Sequence, residues 1–401
     1  MKQATIHSGH SPMSGFQILM VALCFLMNFN DGIDVLIVSF SSSEIIKEFA
    51  LSKTQMGYIF SSGLAGMTLG CFFLAPLADR FGRKNIFLVS LLMVSLGMFG
   101  VAYAHTYLPV LAWRFMTGLG IGGILPTITT TAAEYSNEKY RDFNVGLIQA
   151  GWPVGAILTG LVCADLIPSN GWHFAFFLAG CFSTLMTLLV FALMKDSEEF
   201  KKKKTSVQGM SVLMKPALKS TTIRLWIAAF FGFMTLYTVM SWVPNIAKDS
   251  GLPFEWATYV GIALNIGAAI GSSSSGGIGS KFGLKRTQFT FMLLAFSVMQ
   301  LYAFLPLSTT LIFVLVLFIG MFAQGGFNGI WPILSRIYPT EIRATGVGYS
   351  VGIGRLGAVL GPAIFGILSD LQLGNSLLFV LFSLPLLTMG FIIRSIKSDL
   401  I

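Results

Sequence analysis

Apolar residues run along this chain in stretches of about twenty, set apart by short polar breaks, and the pattern repeats from one end to the other. A helix needs roughly 20 apolar residues to cross the hydrocarbon core of a bilayer. Runs of that length lie at Phe16–Phe40, Gln55–Ala78, Asn85–Ala104, Leu108–Ala132, Phe143–Ile167 and Trp172–Met194. They resume at Ile223–Ala247, Trp256–Gly279, Thr287–Leu305, Thr309–Leu334, Thr345–Leu371 and Ser376–Ser395. Barrel strands would be shorter and would alternate with period two, which these runs do not. The pattern therefore predicts an all-α integral membrane protein with twelve transmembrane helices. The first run is long and carries Asn28, Asn30, Asp31 and Asp34, so it reads as a retained span rather than a cleaved leader.

Composition agrees with lipid as the solvent. The chain is 54% hydrophobic and 11% charged, whereas a soluble domain carries about 25% charged residues. The net charge of +9 would suit a nucleic-acid partner, but its distribution points elsewhere. With the N-terminus placed in the cytoplasm, nearly all Lys and Arg fall on the cytoplasmic side. Only Lys47, Lys53 and Lys248 fall on the other side, and Arg114 and Arg355 lie within spans. This is the positive-inside distribution, and it puts both termini in the cytoplasm, with the plasma membrane, a bacterial inner membrane, as the expected location. The four cysteines all fall in spans without metal-ligand spacing, so neither a metal site nor a disulfide framework is expected.

The one long polar interruption, with the run Lys201–Lys204, divides the chain. It predicts a six-helix half over 1–194, a cytoplasmic linker over 195–222 and a second six-helix half over 223–401. The halves match at an offset near 201 residues. The segment Ala75–Lys84 aligns with Gly276–Lys285, Gly122-Gly123 with Gly325-Gly326, Arg141 with Arg343, and Gly155 with Gly357. A repeated six-span unit is a mark of secondary transporters, whose substrate site lies near the midplane between the repeats.

On these residues the chain resembles the major facilitator superfamily over nearly its whole length. Leu77-Ala-Asp-Arg-Phe-Gly-Arg-Lys84 is similar to that superfamily's loop between spans two and three, and Arg114-Phe-Met-Thr-Gly-Leu-Gly120 to its fourth-helix motif. The resemblance implies that Asp79, Arg80, Gly82, Arg83 and Lys84 lock one conformation of a transport cycle. The loop departs from the pattern at Ala75, where glycine is usual, and the second copy has Ser280 in place of the aspartate. More narrowly, Asp31-Gly-Ile-Asp34 and the stretch from Tyr338 through Gly361-Pro362 resemble the aromatic acid:proton symporters, with Ile33 where an aromatic residue is usual. That family implies inward movement of benzoate-like acids, hydroxylated benzoates or related dicarboxylates with protons.

Charges inside a bilayer cost about 2.5–3.5 kcal/mol each, which makes them functional candidates by default. Asp31 and Asp34 are three residues apart and share a helix face. With Asn28 and Asn30 they form a polar stripe expected to face an interior cavity. Two close carboxylates in a dry site resist joint ionisation, which suits proton coupling, with either of them as the carrier. Arg114 joins them by resemblance, or else snorkels to the interface. Arg355, flanked by Gly352, Gly354 and Gly357, has no acidic residue within a turn on its own helix. It is expected to bind the substrate's carboxylate, to pair with Asp31 or Asp34, or to exchange one for the other. Asn30, Gln149, Gln324 and Asn328 are expected to complete the binding cavity, and Trp152, Tyr237, Trp242 and Trp331 to hold a flat ring. Glu134 is expected to pair with Arg83 or Arg141 as part of the gate.

The resulting reading is a proton-coupled carrier of a small organic anion, an aromatic carboxylate such as a benzoate or hydroxybenzoate, working as a monomer in a lipid bilayer. No enzymatic activity, cofactor or nucleic-acid partner is expected. Alternatives are a symporter of another organic acid (a dicarboxylate, a nicotinate-like acid or sialic acid) and a drug/proton antiporter. A cationic drug is disfavoured by a buried arginine.

Overall fold

A computed structural model describes residues 13–194, 210–339 and 342–396. The helices follow the apolar runs. In chain order they are α1 Gly15–Phe49, α2 Lys53–Phe73, α3 Ala78–Phe81, α4 Arg83–Ala102, α5 Tyr107–Tyr135, α6 Arg141–Gln149, α7 Gly151–Asn170 and α8 Trp172–Leu193. Then come α9 Pro216–Asp249, α10 Phe254–Phe282, α11 Leu284–Phe304, α12 Thr309–Asn328, α13 Ile330–Ile337, α14 Arg343–Asp370 and α15 Asn375–Ser395. The expected fifth span is broken at Ala150 into α6 and α7, and the tenth at Gly329 into α12 and α13. Among the described residues, eleven helical stretches are long and apolar enough to cross a membrane. The remaining expected span is α10, which has 29 residues but carries the glycine and serine tract Gly271–Gly277 and stays outside that set. The run Lys201–Lys204 lies outside the described residues, and α9 begins at Pro216, ahead of the expected linker end at Thr222.

Local sequence explains where helices start. Ser14 and Gln17 form a reciprocal capping box on α1, and Ser52 and Gln55 form one on α2. The turn into α4 is made by Gly82 at φ 94°, and the turn into α11 by Gly283 at φ 89°. Both lie in the left-handed region that side chains avoid. Their sequence numbers differ by the repeat offset.

The packing repeats as well. α2 lies along α5, and α10 along α12. At the first contact a Cβ on Gly66 would collide with the Phe115 carbonyl; at the second, one on Gly267 would collide with the Leu317 carbonyl. These small residues let backbones approach where lipid supplies no hydrophobic drive between helices. The two helix blocks meet through α2 with α14, α7 with α10, and α1 with α9.

Polar groups join the blocks at the end of the bundle remote from Gly82 and Gly283. Lys53 Nζ pairs with Asp249 at 2.7 Å. Lys248 pairs with Glu44 and donates to Ser43 Oγ at 3.1 Å. Asp370, the last residue of α14, accepts hydrogen bonds from the backbone N–H groups of Lys53 at 2.9 Å and Thr54 at 2.8 Å, and so caps α2 from the other block. Deeper in, Ser39 Oγ donates to the carbonyls of Met240 and Ser241, and Ser61 Oγ to that of Val359. At the opposite, basic end, Lys84 Nζ donates to the Phe191 carbonyl at 2.7 Å, and Lys285 Nζ likewise reaches the Ile396 carbonyl. Each of these ties a loop to the last helix of its own block.

Candidate functional site

The first span brings its four polar residues to four different neighbours. Asn28 Nδ2 donates to the Ile148 carbonyl at 2.8 Å, and Asn30 Oδ1 accepts from Ser183 Oγ at 2.9 Å. Asp34 turns toward the fourth span, where Arg114 holds both of its carboxylate oxygens, Nη2 reaching Oδ2 at 3.3 Å. Asp31 lies within electrostatic range of Arg355 on α14. At about 100° per residue the four side chains fan over roughly 160° of the helix, so one broad polar face meets several neighbouring helices. Gly32, between the aspartates, allows the close approach that sets this geometry, since a Cβ there would strike the Trp152 carbonyl and come within 2.9 Å of the Ala156 nitrogen.

Asp34 and Arg114 are both buried, and their two-point contact makes a closed pair. Arg114 is thus placed inside the protein and does not snorkel. Arg355 is different. It is buried among Cys71, Tyr237 and Asp31, which act on it electrostatically. Yet no ion pair within 4.0 Å links it to Asp31 among the described residues. Asp31 Oδ1 and Arg355 Nε both lack hydrogen-bond partners there. A buried guanidinium and a buried carboxyl thus stand farther apart than ion-pair contact, leaving a gap in a place where burying a charge unpaired is expensive.

Aromatic side chains flank that gap. Tyr237 stacks on Phe233 at 5.9 Å between centroids, and Phe233 meets Phe327 edge-on at 4.7 Å and Trp331 at 6.5 Å. Phe233 also fills the space beside Gly354, the neighbour of Arg355. Phe233 and Phe327 were not singled out in the sequence. Two of 36 phenylalanines in a hydrophobic chain carry no signal of their own. Trp242 is placed elsewhere: its indole N–H donates to the Pro362 carbonyl at 3.1 Å, and its ring lies between Phe60 and Phe365. Trp152 contributes its backbone to the Gly32 contact and keeps a half-buried ring. Gln149, at the break before α7, is exposed. Gln324 Nε2 donates to Asn328 Oδ1 at 3.2 Å, one turn along the same face of α12.

At the basic end Arg83 pairs with Glu134 at 2.6 Å, both largely shielded. Arg80 is exposed and lies over the Phe81 ring, Arg141 is exposed, and the Asp79 side chain lies outside the described residues. Among the described residues no group of three or more His, Cys, Asp or Glu is arranged to hold a metal ion.

A multi-pass helical protein with a charged, aromatic-lined centre between two repeated blocks is, by construction, a membrane carrier of small molecules. The family model described as Major Facilitator Superfamily matches residues 19–362. The chain belongs to that superfamily, and its twelve helices in two six-helix halves are that superfamily's fold. It is similar to the 3-(3-hydroxy-phenyl)propionate transporter of Escherichia coli, with 32% identity covering 91% of this chain and 90% of that one. It is also similar to the 4-hydroxybenzoate transporter PcaK of Acinetobacter baylyi, with 30% identity covering 92% of this chain and 88% of that one. Among solved structures, a D-xylose-proton symporter superposes with a TM-score of 0.80 at 16% identity, covering 96% of this chain and 99% of the other, which speaks to the fold alone.

Proposed function

We propose that this protein carries an aromatic carboxylate into the cell together with a proton. One observation carries the reading: Arg355 and Asp31 are buried within electrostatic range of each other without an ion pair, beside a second carboxylate, Asp34, that is fully paired. A carboxylate entering the gap offers Arg355 the two parallel hydrogen bonds that a guanidinium is built to make. It also places a negative charge next to Asp31, which favours proton uptake there. Parting of Asp34 from Arg114 gives the second carboxylate the same opportunity. Tyr237 and Trp331 provide faces for the ring, Asn30, Gln324 and Asn328 provide polar contacts, Gln149 and Trp152 lie at the margin of the site, and Trp242, tied to Pro362, braces α9 against α14 rather than touching the ring. The relatives named for hydroxylated aromatic acids support this substrate class.

The remaining parts of the reading follow the same logic. Residues 1–194 and 223–401 are the two moving halves, with 195–222 as the linker. The basic end faces the cytoplasm of a bacterial inner membrane, both termini lie there, and one chain in lipid is the working unit. The sealed end with Lys53 and Asp370 then faces outward. The set Asp79, Arg80, Gly82, Arg83, Lys84, Glu134 and Arg141 acts as the cytoplasmic gate.

The test is uptake into proteoliposomes with an imposed pH gradient, using radiolabelled 4-hydroxybenzoate. Wild type accumulates the acid above equilibrium, and a protonophore abolishes the excess. Arg355→Lys, which keeps the charge but loses the planar fork, loses most of its affinity. Asp34→Asn retains exchange and loses uphill accumulation. Near-normal affinity in Arg355→Lys refutes two-point recognition of the carboxylate.

A further inference from the structure

Gln324 and Asn328 belong to a chain of hydrogen bonds whose direction is fixed by its far end. Ser272 Oγ donates its one proton to the Ala268 carbonyl at 2.7 Å. Its 2.8 Å contact with Asn328 must then be one in which Asn328 Nδ2 donates. Asn328 Oδ1 therefore faces Gln324 and accepts from Nε2. The chain ends on Gln324 Oε1, an acceptor shut off from solvent and without a partner among the described residues. A buried acceptor left unmatched is costly, and in a native protein it calls for an explanation such as a ligand group that completes it.

The place of that oxygen supplies the explanation. Gln324 is half-buried as a residue, while its Oε1 is shut off from solvent. It shares a helical face with Asn328 on α12. Phe327, on the same helix, packs on Phe233, and Phe233 in turn abuts Gly354 beside Arg355. One aromatic wall thus connects the guanidinium at one end to the free amide oxygen at the other.

We propose that Gln324 Oε1 accepts a hydrogen bond from a hydroxyl on the substrate's ring, and so makes the pocket selective for phenolic acids over bare or ether-bearing ones. This rests on the reading that Arg355 takes the carboxylate. One of the glutamine's two amide N–H bonds is committed to Asn328, and the atom left without any partner is the acceptor oxygen. A phenol O–H completes it, whereas a methoxy oxygen sets lone pair against lone pair, and an unsubstituted ring leaves the acceptor as it was. A site built to meet one polar group rejects the analogue without it more strongly than an apolar pocket rejects a lost methylene.

The experiment is equilibrium binding to purified protein of benzoate, 3- and 4-hydroxybenzoate, and 4-methoxybenzoate. At least one hydroxybenzoate should bind about tenfold more tightly than benzoate, and methoxybenzoate no more tightly than benzoate. Gln324→Met keeps the length of the side chain and removes the acceptor. It should bring the ratio of the benzoate and hydroxybenzoate Kd values to about one, whatever the absolute affinity. Equal binding of hydroxy- and methoxybenzoate to wild type overturns the proposal whether or not the variant folds, and so does an undiminished preference in Gln324→Met; either result leaves the arginine reading standing. If wild type binds none of the four acids, that reading falls and takes the hydroxyl subsite with it.

Discussion

The Asp34–Arg114 pair makes a sharp energetic prediction, because its two members respond differently to losing each other. Their side chains are 1% and 5% exposed, and they meet at two points. Two hydrogen bonds to charged groups contribute about 3–6 kcal/mol together, close to the roughly 3–5 kcal/mol expected for breaking a buried pair. The loss is not symmetrical. In Arg114→Leu the stranded carboxylate can neutralise itself by taking a proton, but in Asp34→Asn the stranded guanidinium cannot shed one. Asp34→Asn should therefore be the more destabilising change despite being the smaller one in shape. At about 2–4 °C per kcal/mol for a unit of 150–250 residues, its unfolding midpoint should fall by roughly 6–20 °C. The double variant, with neither charge, should recover part of that loss, giving a coupling of about 0.5–3 kcal/mol. The assay is thermal unfolding of the detergent-purified protein, followed by intrinsic fluorescence, for wild type, both single variants and the double variant. Additive single effects, or a smaller drop for Asp34→Asn than for Arg114→Leu, would refute the account of a closed, desolvated pair.

Two further outcomes are expected. Asp370→Asn removes a charged cap from the start of α2 and should weaken the seal between the halves by about 1 kcal/mol, read as faster alkylation of a cysteine placed at Ser61 on the sealed side; an unchanged rate would show that the cap does not hold that end shut. For orientation, a cysteine at Asp249 should react with an impermeant thiol reagent on intact cells, and one at Lys202 only after the cells are opened. Reaction at Lys202 in intact cells reverses the assignment of sides.

Much of this architecture could be read before any coordinates. Apolar length alone located the spans, because a bilayer imposes one length on every crossing element. The turn at Gly82 was legible because a short basic loop with one glycine has few ways to turn. The intramembrane charges were legible because lipid makes them rare. What could not be read was which neighbour each charge faces. Asp34 goes to Arg114, 80 residues on, and Asp31 to the neighbourhood of Arg355, and only the packing of α1 among its neighbours decides between them. Hydropathy also passes smoothly over Ala150 and Gly329, since a broken helix and a continuous one have the same composition. The seal at Asp370 was invisible for a related reason: its value comes from capping a helix in the other half, a relation with no local pattern.

The lysine contacts at the basic end bear on how the chain is assembled. Lys84 cannot complete its bond until the carbonyl of Phe191, 107 residues later, has been made and its helix inserted. Lys285 waits in the same way for Ile396, 111 residues on. Each bond therefore closes only when the last helix of its block arrives, so it marks the completion of that block. The first block can be fastened while the ribosome is still extending the second, in keeping with domains that mature one after another from the N-terminus. A pulse-labelled nascent chain arrested shortly after the linker should already resist proteolysis at the Gly82 turn, whereas the Gly283 turn should gain that resistance only once the final helix has entered the membrane.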